Sequence, residues 1–465
     1  FESLARYELL VGAPSAMKML MFDVYYFGSS GSGDYPSGWE AELASKWPVA
    51  SFTTQRIRDL RFNEMVIPAR RGAPVVRVSS TQDYKDQTGQ NFGDSEKTAT
   101  QWASALSAAG GNQDTQMCYV NIFGVGAGGR SAGFGKFNAV GKGASLGFLN
   151  HEMGHALNLP HWSNSQQRNK YPYRGDMHGI AATNDDEHVG PTWAFDFASM
   201  TFLTPTCAVN DPTLSKCVAP QPAAGVTPPL FVYKRSPMLG GGVGDQPAPF
   251  LFRHFSDYGV RQMQNLIEGK LAVNVSGDWK TWDSQTGAYS KSVDVASNPT
   301  RYPIAETEVI SIMAACALAG DSVSMVYPPI GPYTAGLIRL FDATDPTDRE
   351  DAGSIHCPPE GCDFSLRVEQ GNTITVYILP AAARSTDPYS SASLTTAAIN
   401  LRNQDGALMR VALLATPNVQ TDGLPNDPEV LHEWLADNTP PQSPPPPLPP
   451  SPPPSPLPPS PSPPP

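Results

Sequence analysis

Short apolar runs alternate with amphipathic stretches through the first third of the chain. Residues 16–28 form an apolar, aromatic-rich run typical of a strand, and Ala73–Val78 and Met117–Phe123 are also strand-like. Trp39–Trp47 and Lys97–Ala109 have the spacing of helices. Strands alternating with helices predict an α/β (α+β) domain in which a central twisted sheet floors a cleft.

From about residue 286 the pattern changes to short β-rich runs separated by turn residues. Val309–Met313, Ile374–Tyr377 and Met409–Leu414 are examples. They predict a smaller antiparallel β domain over residues 286–437, in the form of a sandwich. No residues in it have catalytic spacing, so we expect it to bind glycan or another partner, or to support the first domain.

Residues 438–465 are dominated by proline. Pro440–Pro465 contains more than a third of the 48 prolines, and proline cannot continue a helix or a central strand. We expect a disordered linker or tail of extended polyproline II character. Its Ser-Pro blocks resemble the hydroxyproline-rich glycoproteins of plant and green-algal cell walls. An unmodified spacer and a ligand for a proline-binding module are the alternatives.

The strongest chemical signal is HEMGHALNLPH at residues 151–161. His151 and His155 are four residues apart, so a helix places both imidazoles on one face, where they can share one Zn²⁺. Glu152 lies beside them as a general base, and His161 follows a Leu-Pro pair where the chain must turn back. The opposite helix face is apolar and consists of Leu146, Leu149, Met153, Ala156 and Leu157. A helix carrying surface histidines is the alternative.

This stretch resembles the metzincin motif HExxHxxGxxH, with Asn158 in place of the glycine. Asn is the non-glycine residue that best tolerates the left-handed conformation, so we expect the same turn. Val189–Asp196, Ser236–Asp245 and Phe252–Val273 resemble, in order and spacing, the dictomallein and StcE-type mucin-cleaving peptidases. The resemblance covers most of residues 10–285 and predicts a zinc peptidase domain at 1–285.

The resemblance implies further roles. His151, His155 and His161 would hold one Zn²⁺, Glu152 would be catalytic, and Met238 would form the structural turn below the metal. The glycine-rich stretch 124–147 would contain the edge strand that aligns substrate, with a surface loop as the alternative. The implied function is a secreted zinc endopeptidase acting on O-glycosylated, mucin-like or hydroxyproline-rich proteins. A gametolysin-like wall-lytic peptidase and a non-catalytic cell-wall-binding protein on the same scaffold are the alternatives.

Several residues after the motif are candidates for contact with the substrate. Trp162 and Trp193 offer faces on which sugars or side chains could stack, although such rings often simply pack. Asp196 could bind a cation or orient a ligand histidine from behind. His178 and His188 are spare imidazoles that could replace His161.

Composition limits the partners and the location. A net charge of −12 without a basic stripe excludes nucleic acid, and no apolar run reaches the roughly 18 residues of a membrane span. No signal peptide is visible, but the chain begins with Phe1, which we interpret as a trimmed N-terminus of an extracellular protein.

Six cysteines fit three disulfides in an oxidising compartment. Cys207–Cys217 and Cys357–Cys362 are close enough in sequence to clip local loops, and free buried thiols are the alternative for any of the six. One sequon, Asn274-Val275-Ser276, permits N-glycosylation.

Overall fold

The computed structural model describes residues 12–31, 33–93, 95–124, 130–131, 135–162, 169–183, 187–191, 194–196, 199–239, 244–296, 298–317, 323–382 and 385–436. The predicted proline-rich tail lies outside these residues. No helix in the described ranges is both long and apolar enough to cross a membrane.

Helices and strands alternate in the first part of the chain. In order they are β1 (Ala16–Tyr26), α1 (Trp39–Lys46), β2 (Ser51–Phe62), β3 (Met65–Ile67), β4 (Val76–Val78), α2 (Thr81–Thr88), α3 (Ser95–Ala109), β5 (Met117–Phe123), β6 (Arg130–Ser131), β7 (Asn138–Lys142) and α4 (Leu146–Ala156). The strands predicted at 16–28 and Met117–Phe123 and the helices predicted at Trp39–Trp47 and Lys97–Ala109 are confirmed. The strand predicted at Ala73–Val78 is confirmed only for its last three residues.

Short strands, one helix and a small sheet come next. They are β8 (Ala194–Asp196), β9 (Thr201–Leu203), β10 (Thr206–Ala208), β11 (Phe231–Tyr233), α5 (Asp257–Lys270), β12 (Val273–Val275), β13 (Asp278–Asp283) and β14 (Ala288–Ser292). The last three strands form one antiparallel sheet, which crosses the predicted domain boundary at residue 285.

The remaining elements are mostly strands. They are β15 (Ala305–Ala317), β16 (Met325–Val326), β17 (Ile330–Leu337), α6 (Pro346–Ile355), β18 (Phe364–Gln370), β19 (Thr373–Ile378), β20 (Leu394–Arg402), a 3₁₀ turn (Asn403–Asp405), β21 (Leu408–Ala415), α7 (Val419–Asp422) and β22 (Val430–Leu435). The chain is therefore a mixed α/β protein rich in sheet.

A five-stranded sheet in the order β2-β1-β5-β7-β6 carries the site. Its first four strands are parallel, and β6 pairs antiparallel with β7 at the edge. Strand β1 is buried on both faces, as central parallel strands are. Its even-numbered residues, such as Phe22, face α3, and its odd-numbered residues, such as Met19, share a core with α1, α4 and α5.

The strands after residue 304 form two antiparallel four-stranded sheets with a core between them. The first sheet is also buried on its outer side. Met313 and Ala315 of β15 belong to the α3 core, whereas Ile312 and Ala314 face the second sheet. Trp102 of α3 contacts Tyr327, with ring centroids 5.4 Å apart. Residues on both sides of the predicted boundary therefore share one core.

Disulfide pairing follows the prediction only in part. Cys207–Cys217 and Cys357–Cys362 are bonded, as predicted. The expected third disulfide is wrong, because Cys118 and Cys316 are free and buried. Cys118 lies in the core around α3 and Cys316 in the core between the two antiparallel sheets, so the two thiols face different layers.

Candidate active site

Helix α4 begins and ends at residues that suit its termini. The Ser145 hydroxyl accepts a hydrogen bond from the Phe148 N–H at the N-terminus, at 3.4 Å. At the other end Asn158 has a φ of 71°, so the predicted left-handed turn is confirmed. The N–H of Asn158 donates to the His155 carbonyl and that of Leu159 to Gly154, both at 2.9 Å. This pattern of two bonds reverses the chain within one turn.

The reversal brings three imidazoles together. His161 Nε2 lies 3.0 Å from His155 Nε2 and 3.0 Å from His151 Nε2. His151 and His155 are buried, whereas His161 is exposed. The three predicted ligands thus converge at a site that opens to solvent on one side.

Backbone carbonyls determine the tautomers of two of these rings. His151 Nδ1 lies 2.8 Å from the Pro237 carbonyl oxygen, and His155 Nδ1 lies 2.6 Å from that of Leu159. Because a carbonyl only accepts, this geometry assigns the proton of each ring to Nδ1 and leaves a lone pair on each Nε2. The two lone pairs lie next to His161 Nε2, so the three atoms surround one position that a cation could occupy.

The donor set fits Zn²⁺. Zn–N bonds of about 2.0–2.1 Å place tetrahedral nitrogen ligands roughly 3.3 Å apart, close to the observed spacing. Carbonyl partners behind the rings are the usual support of metal-binding histidines.

Electrostatics keeps the rings neutral, which is the form that binds a metal. Burial lowers the pKa of His151 to about 4, and the positive charge of Arg253 contributes to the shift. Burial and the neighbouring His151 lower the pKa of His155 to about 3. Burial also lowers the pKa of His161. All three rings are therefore deprotonated near pH 7.

Glu152 lies on the same buried helix face, with 5% of its surface exposed. Burial raises the pKa of Tyr119 well above its ordinary value, and Tyr35 and Glu152 contribute to that shift. Tyr119 lies beneath the site on β5, a position that sequence reasoning missed. Gly141 on β7 makes room for it, since a Cβ there would lie 1.5 Å from the Tyr119 hydroxyl.

Met238 packs directly under α4. It is fully buried, and a Cβ added at Gly154 would lie 2.5 Å from its sulfur atom. Its turn is closed by the Leu239 N–H, which donates to the Ser236 carbonyl at 3.0 Å. Pro237, whose carbonyl contacts His151, lies within the same turn. One tight turn therefore supports both the helix and the His151 ring.

A buried ion pair holds this turn against α4. Arg253 Nε lies 2.6 Å from Asp245 Oδ1, and neither side chain is exposed. Asp245 Oδ2 accepts a hydrogen bond from the Arg235 N–H at 2.8 Å, and the Arg253 carbonyl accepts one from Asn150 Nδ2 at 3.2 Å. Asn150 immediately precedes His151, so the contacts form a closed ring around His151. The available sequence signal for this pair was Arg253, which directly follows the apolar run Phe250-Leu251-Phe252.

Comparison with known protein families gives a match over the N-terminal part of the chain. The sequence profile of the family described as Peptidase M66 matches residues 4–272, more than half of the chain. The chain belongs to the peptidase M66 family.

The M66 chain also resembles curated relatives over most of its length. It is 23% identical to dictomallein-2 of Dictyostelium discoideum over 487 aligned residues, covering 90% of this chain and 75% of the relative. It is 24% identical to dictomallein-3 of the same organism, covering 87% and 72%. A dictomallein-like protein of Hahella chejuensis is 28% identical, covering 55% and 42%.

The remaining predicted site residues of the M66 chain lie elsewhere. Trp162 is 3% exposed and stacks on Tyr171, with centroids 5.0 Å and planes 7° apart. It also contacts Tyr258 edge-on. The assignment of Trp162 as a substrate contact is therefore corrected: the ring packs in the core. Trp193 lies outside the described residues.

Asp196 belongs to a different polar cluster. Its carboxylate accepts a hydrogen bond from Ser45 at 2.7 Å and lies 3.3 Å from Lys46 Nζ. Burial alone would raise its pKa, but hydrogen bonds from Ser199 and Ser45 lower it to about 2. Since carbonyls hold the Nδ1 atoms of His151 and His155, the assignment of Asp196 as an orienting residue for those rings is corrected.

The spare histidines are not part of the cluster. Among the described residues, the three imidazoles of the site form the one group of histidine, cysteine or acidic residues placed to hold a metal. His188 is buried and stacks on Tyr233, with centroids 4.4 Å apart, and His178 is exposed.

Proposed function

We propose that this M66 peptidase is a zinc-dependent endopeptidase of the metzincin type. The convergence of three Nε2 atoms beside a buried glutamate carries the proposal. Met238 below the helix supports the metzincin assignment, because a buried methionine in a tight turn is what the resemblance implies at this position.

In this proposal His151, His155 and His161 hold Zn²⁺, which when bound supplies a Lewis acid that lowers the pKa of water and polarises a carbonyl. Glu152 accepts a proton from the attacking water and returns it to the leaving amine. The Pro237 and Leu159 carbonyls keep two of the rings oriented throughout. The exposed edge at His161 admits the substrate.

The proposed substrates are extracellular proteins with dense O-glycosylation, of the mucin-like or hydroxyproline-rich kind. The resemblance to mucin-cleaving peptidases supports this class. The short antiparallel strand β6 at the sheet edge supports extended binding of a peptide beside the site. The two disulfides fit secretion into an oxidising compartment. We assign peptide hydrolysis to residues 1–285, and support or glycan binding to the β-rich region 286–437.

The mechanism is tested by Glu152→Gln in the full chain. We expect one zinc per chain to remain bound and cleavage of casein and mucin to fall by at least about 100-fold, because the proton acceptor is lost. His178→Asn is the matched control, since His178 is exposed and Asn tolerates its left-handed φ of 53°. Full activity of Glu152→Gln, or cleavage that persists in chelator, would contradict the proposal.

Substrate class is tested by comparing glycosylated and enzymatically deglycosylated forms of the same proteins. We expect cleavage of the glycosylated forms, with sequenced cut ends that lie next to glycosylated residues. Equal cleavage of both forms would remove the glycoprotein assignment but leave the peptidase intact. Zinc binding without cleavage of either form would favour a binding protein on this scaffold.

A further inference from the structure

Asn274 lies at the tip of an exposed hairpin. Val275 of β12 pairs with Asp278 of β13, so Ser276 and Gly277 form a two-residue turn with φ values of 55° and 99°. Asn274 is exposed, and its Oδ1 accepts a hydrogen bond from the Gly277 N–H at 2.9 Å. Among the described residues its Nδ2 has no hydrogen-bond partner. The amide nitrogen of the sequon is therefore accessible in the folded chain.

An aromatic ring lies opposite this amide. Asn274 and Trp279 are direct cross-strand partners, so their side chains share one face with Cβ atoms about 4.5–5.5 Å apart. Trp279 is partly exposed and contacts Tyr302, with centroids 5.8 Å apart and planes tilted by 34°. A group attached to Asn274 would meet the Trp279 ring first, with Tyr302, which is only 6% exposed, packed beside it.

These residues border a cavity of about 470 Å³. Its apolar lining includes Trp279, Tyr302 and Ile304, and Ile304 is 64% exposed although it is a large aliphatic residue. Asn274 and Asp278 lie at its polar rim. The volume suits a small ligand of one or two sugar rings, and no residue of the histidine site lines it.

We propose that Asn274 carries an N-linked glycan whose first sugars lie in this cavity, against Trp279 and Tyr302. The inference rests on the proposed secretion of the chain and is independent of its peptidase activity. The apolar C–H face of a pyranose packs on an aromatic ring, and the covalent tether keeps its local concentration high. The glycan would cover the exposed apolar surface at Ile304.

The modification is a transfer from a lipid-pyrophosphate-linked oligosaccharide. A bond forms between Asn274 Nδ2 and C1 of the first N-acetylglucosamine, and the bond between that carbon and the carrier's pyrophosphate breaks. The lipid pyrophosphate leaves with the electron pair, and Nδ2 loses one proton. Ser276 supplies the hydroxyl that the sequon requires.

Attachment is tested by secreting the full chain from a eukaryotic host and measuring intact and peptide masses. We expect a glycosidase-sensitive mass increment at Asn274 that is lost in both Asn274→Gln and Ser276→Ala. Asn298 is a negative control within the chain, because it is exposed but its triplet Asn298-Pro299-Thr300 contains proline. An unmodified Asn274 in the secreted chain, or an increment that survives Ser276→Ala, would overturn the site.

Packing of the first sugar against Trp279 is tested on the glycosylated chain by NMR and thermal unfolding. We expect the acetyl methyl resonance of the first sugar to be shifted upfield by the Trp279 ring, and the shift to be lost in Trp279→Ala but kept in Trp282→Ala. The rise in melting temperature of wild type over Asn274→Gln should also disappear in the Trp279→Ala background. Trp279→Phe, which retains a ring, should keep part of both effects if Trp279→Ala folds poorly.

An unchanged methyl shift in Trp279→Ala would overturn the packing while leaving the attachment site in place. The mass, NMR and unfolding measurements do not depend on the protein's own peptidase activity. Failure of the proposed peptidase activity would therefore not alter these outcomes.

Discussion

Gly154 of α4 and the sulfur of Met238 are in direct contact, with no space for a side chain between them. The glycine lies between the two histidines of that helix, so the contact determines how closely the helix approaches the turn below it. This turn also positions the Pro237 carbonyl, which orients His151.

Gly154→Ala should lift the helix from the turn. We expect a loss of about 1–3 kcal/mol in the free energy of unfolding, because the added methyl overpacks the contact, together with weaker zinc affinity. Gly269→Ala in α5 is the control, since its Cβ would meet nothing within 4 Å, and it should gain roughly 0.5–1 kcal/mol. Denaturant titration measures the unfolding free energy of each variant, and zinc competition measures its zinc affinity. Equal effects of Gly154→Ala and Gly269→Ala would show that the contact between Gly154 and Met238 does not position the helix.

Asn158 should tolerate glycine but not a β-branched residue. Asn158→Gly keeps the left-handed turn and should bind zinc normally. Asn158→Val should lose roughly 1–2 kcal/mol of stability and bind zinc more weakly, because its φ of 71° is strained for valine and His161 would be displaced. Zinc stoichiometry and affinity are measured for the two variants. Similar zinc binding by both would show that the turn at Asn158 does not position His161.

Loss of one partner of the buried Asp245–Arg253 pair should lower the free energy of unfolding far more than loss of one partner of an exposed pair. Asp245→Ala leaves a buried guanidinium without its partner and should cost roughly 3–5 kcal/mol in unfolding free energy. Asp351→Ala removes one exposed partner of Arg339 and should cost less than about 1 kcal/mol. Equilibrium unfolding in chelator separates these costs from metal binding, and comparable losses would argue against the ring around His151.

Acid should destabilise the fold through His254. Burial and the charges of Lys234 and Lys46 lower its pKa to about 3, against 6.5 ordinarily. Between these values the unfolded chain binds a proton that the folded chain does not, so stability falls as pH falls, by roughly 1.4 kcal/mol per pH unit for one group.

His254→Asn removes this titration. In chelator, we expect its unfolding free energy to decline less steeply than that of wild type from pH 6.5 to 4, and to run parallel to wild type above pH 7. Other buried histidines, His151 and His155 among them, titrate in the same range and keep part of the slope in both proteins. Parallel curves over the whole range would show that His254 does not contribute to the acid sensitivity.

Sequence alone predicted the parts of this molecule whose causes are local. The two helix histidines follow from helical periodicity, and Asn158 follows from the few residues that tolerate a positive φ. Strands β1 and β5 were predictable because both faces are buried, which produces continuous apolar runs. Strand β2 was missed because it lies at the sheet edge, where most of its residues are polar and partly exposed.

Roles that depend on distant partners were not predictable in this way. Asp196 bonds to Ser45, 151 residues earlier in the chain, and nothing in its own neighbourhood indicates that partner. Trp162 follows His161 directly, yet the chain turns its ring into the core against Tyr171. Cys118 and Cys316 make an even count of cysteines, but the fold places them in separate layers.

Helix α3 is covered on one side by the five-stranded sheet and on the other by strands that follow residue 304. The stretch that defines the family ends at residue 272, well before those strands. A fragment cut at that point would leave Trp102 without Tyr327 and would expose an apolar layer to water. We therefore expect a stable fold to require strands beyond residue 272, even though those strands contribute no residue to the histidine site.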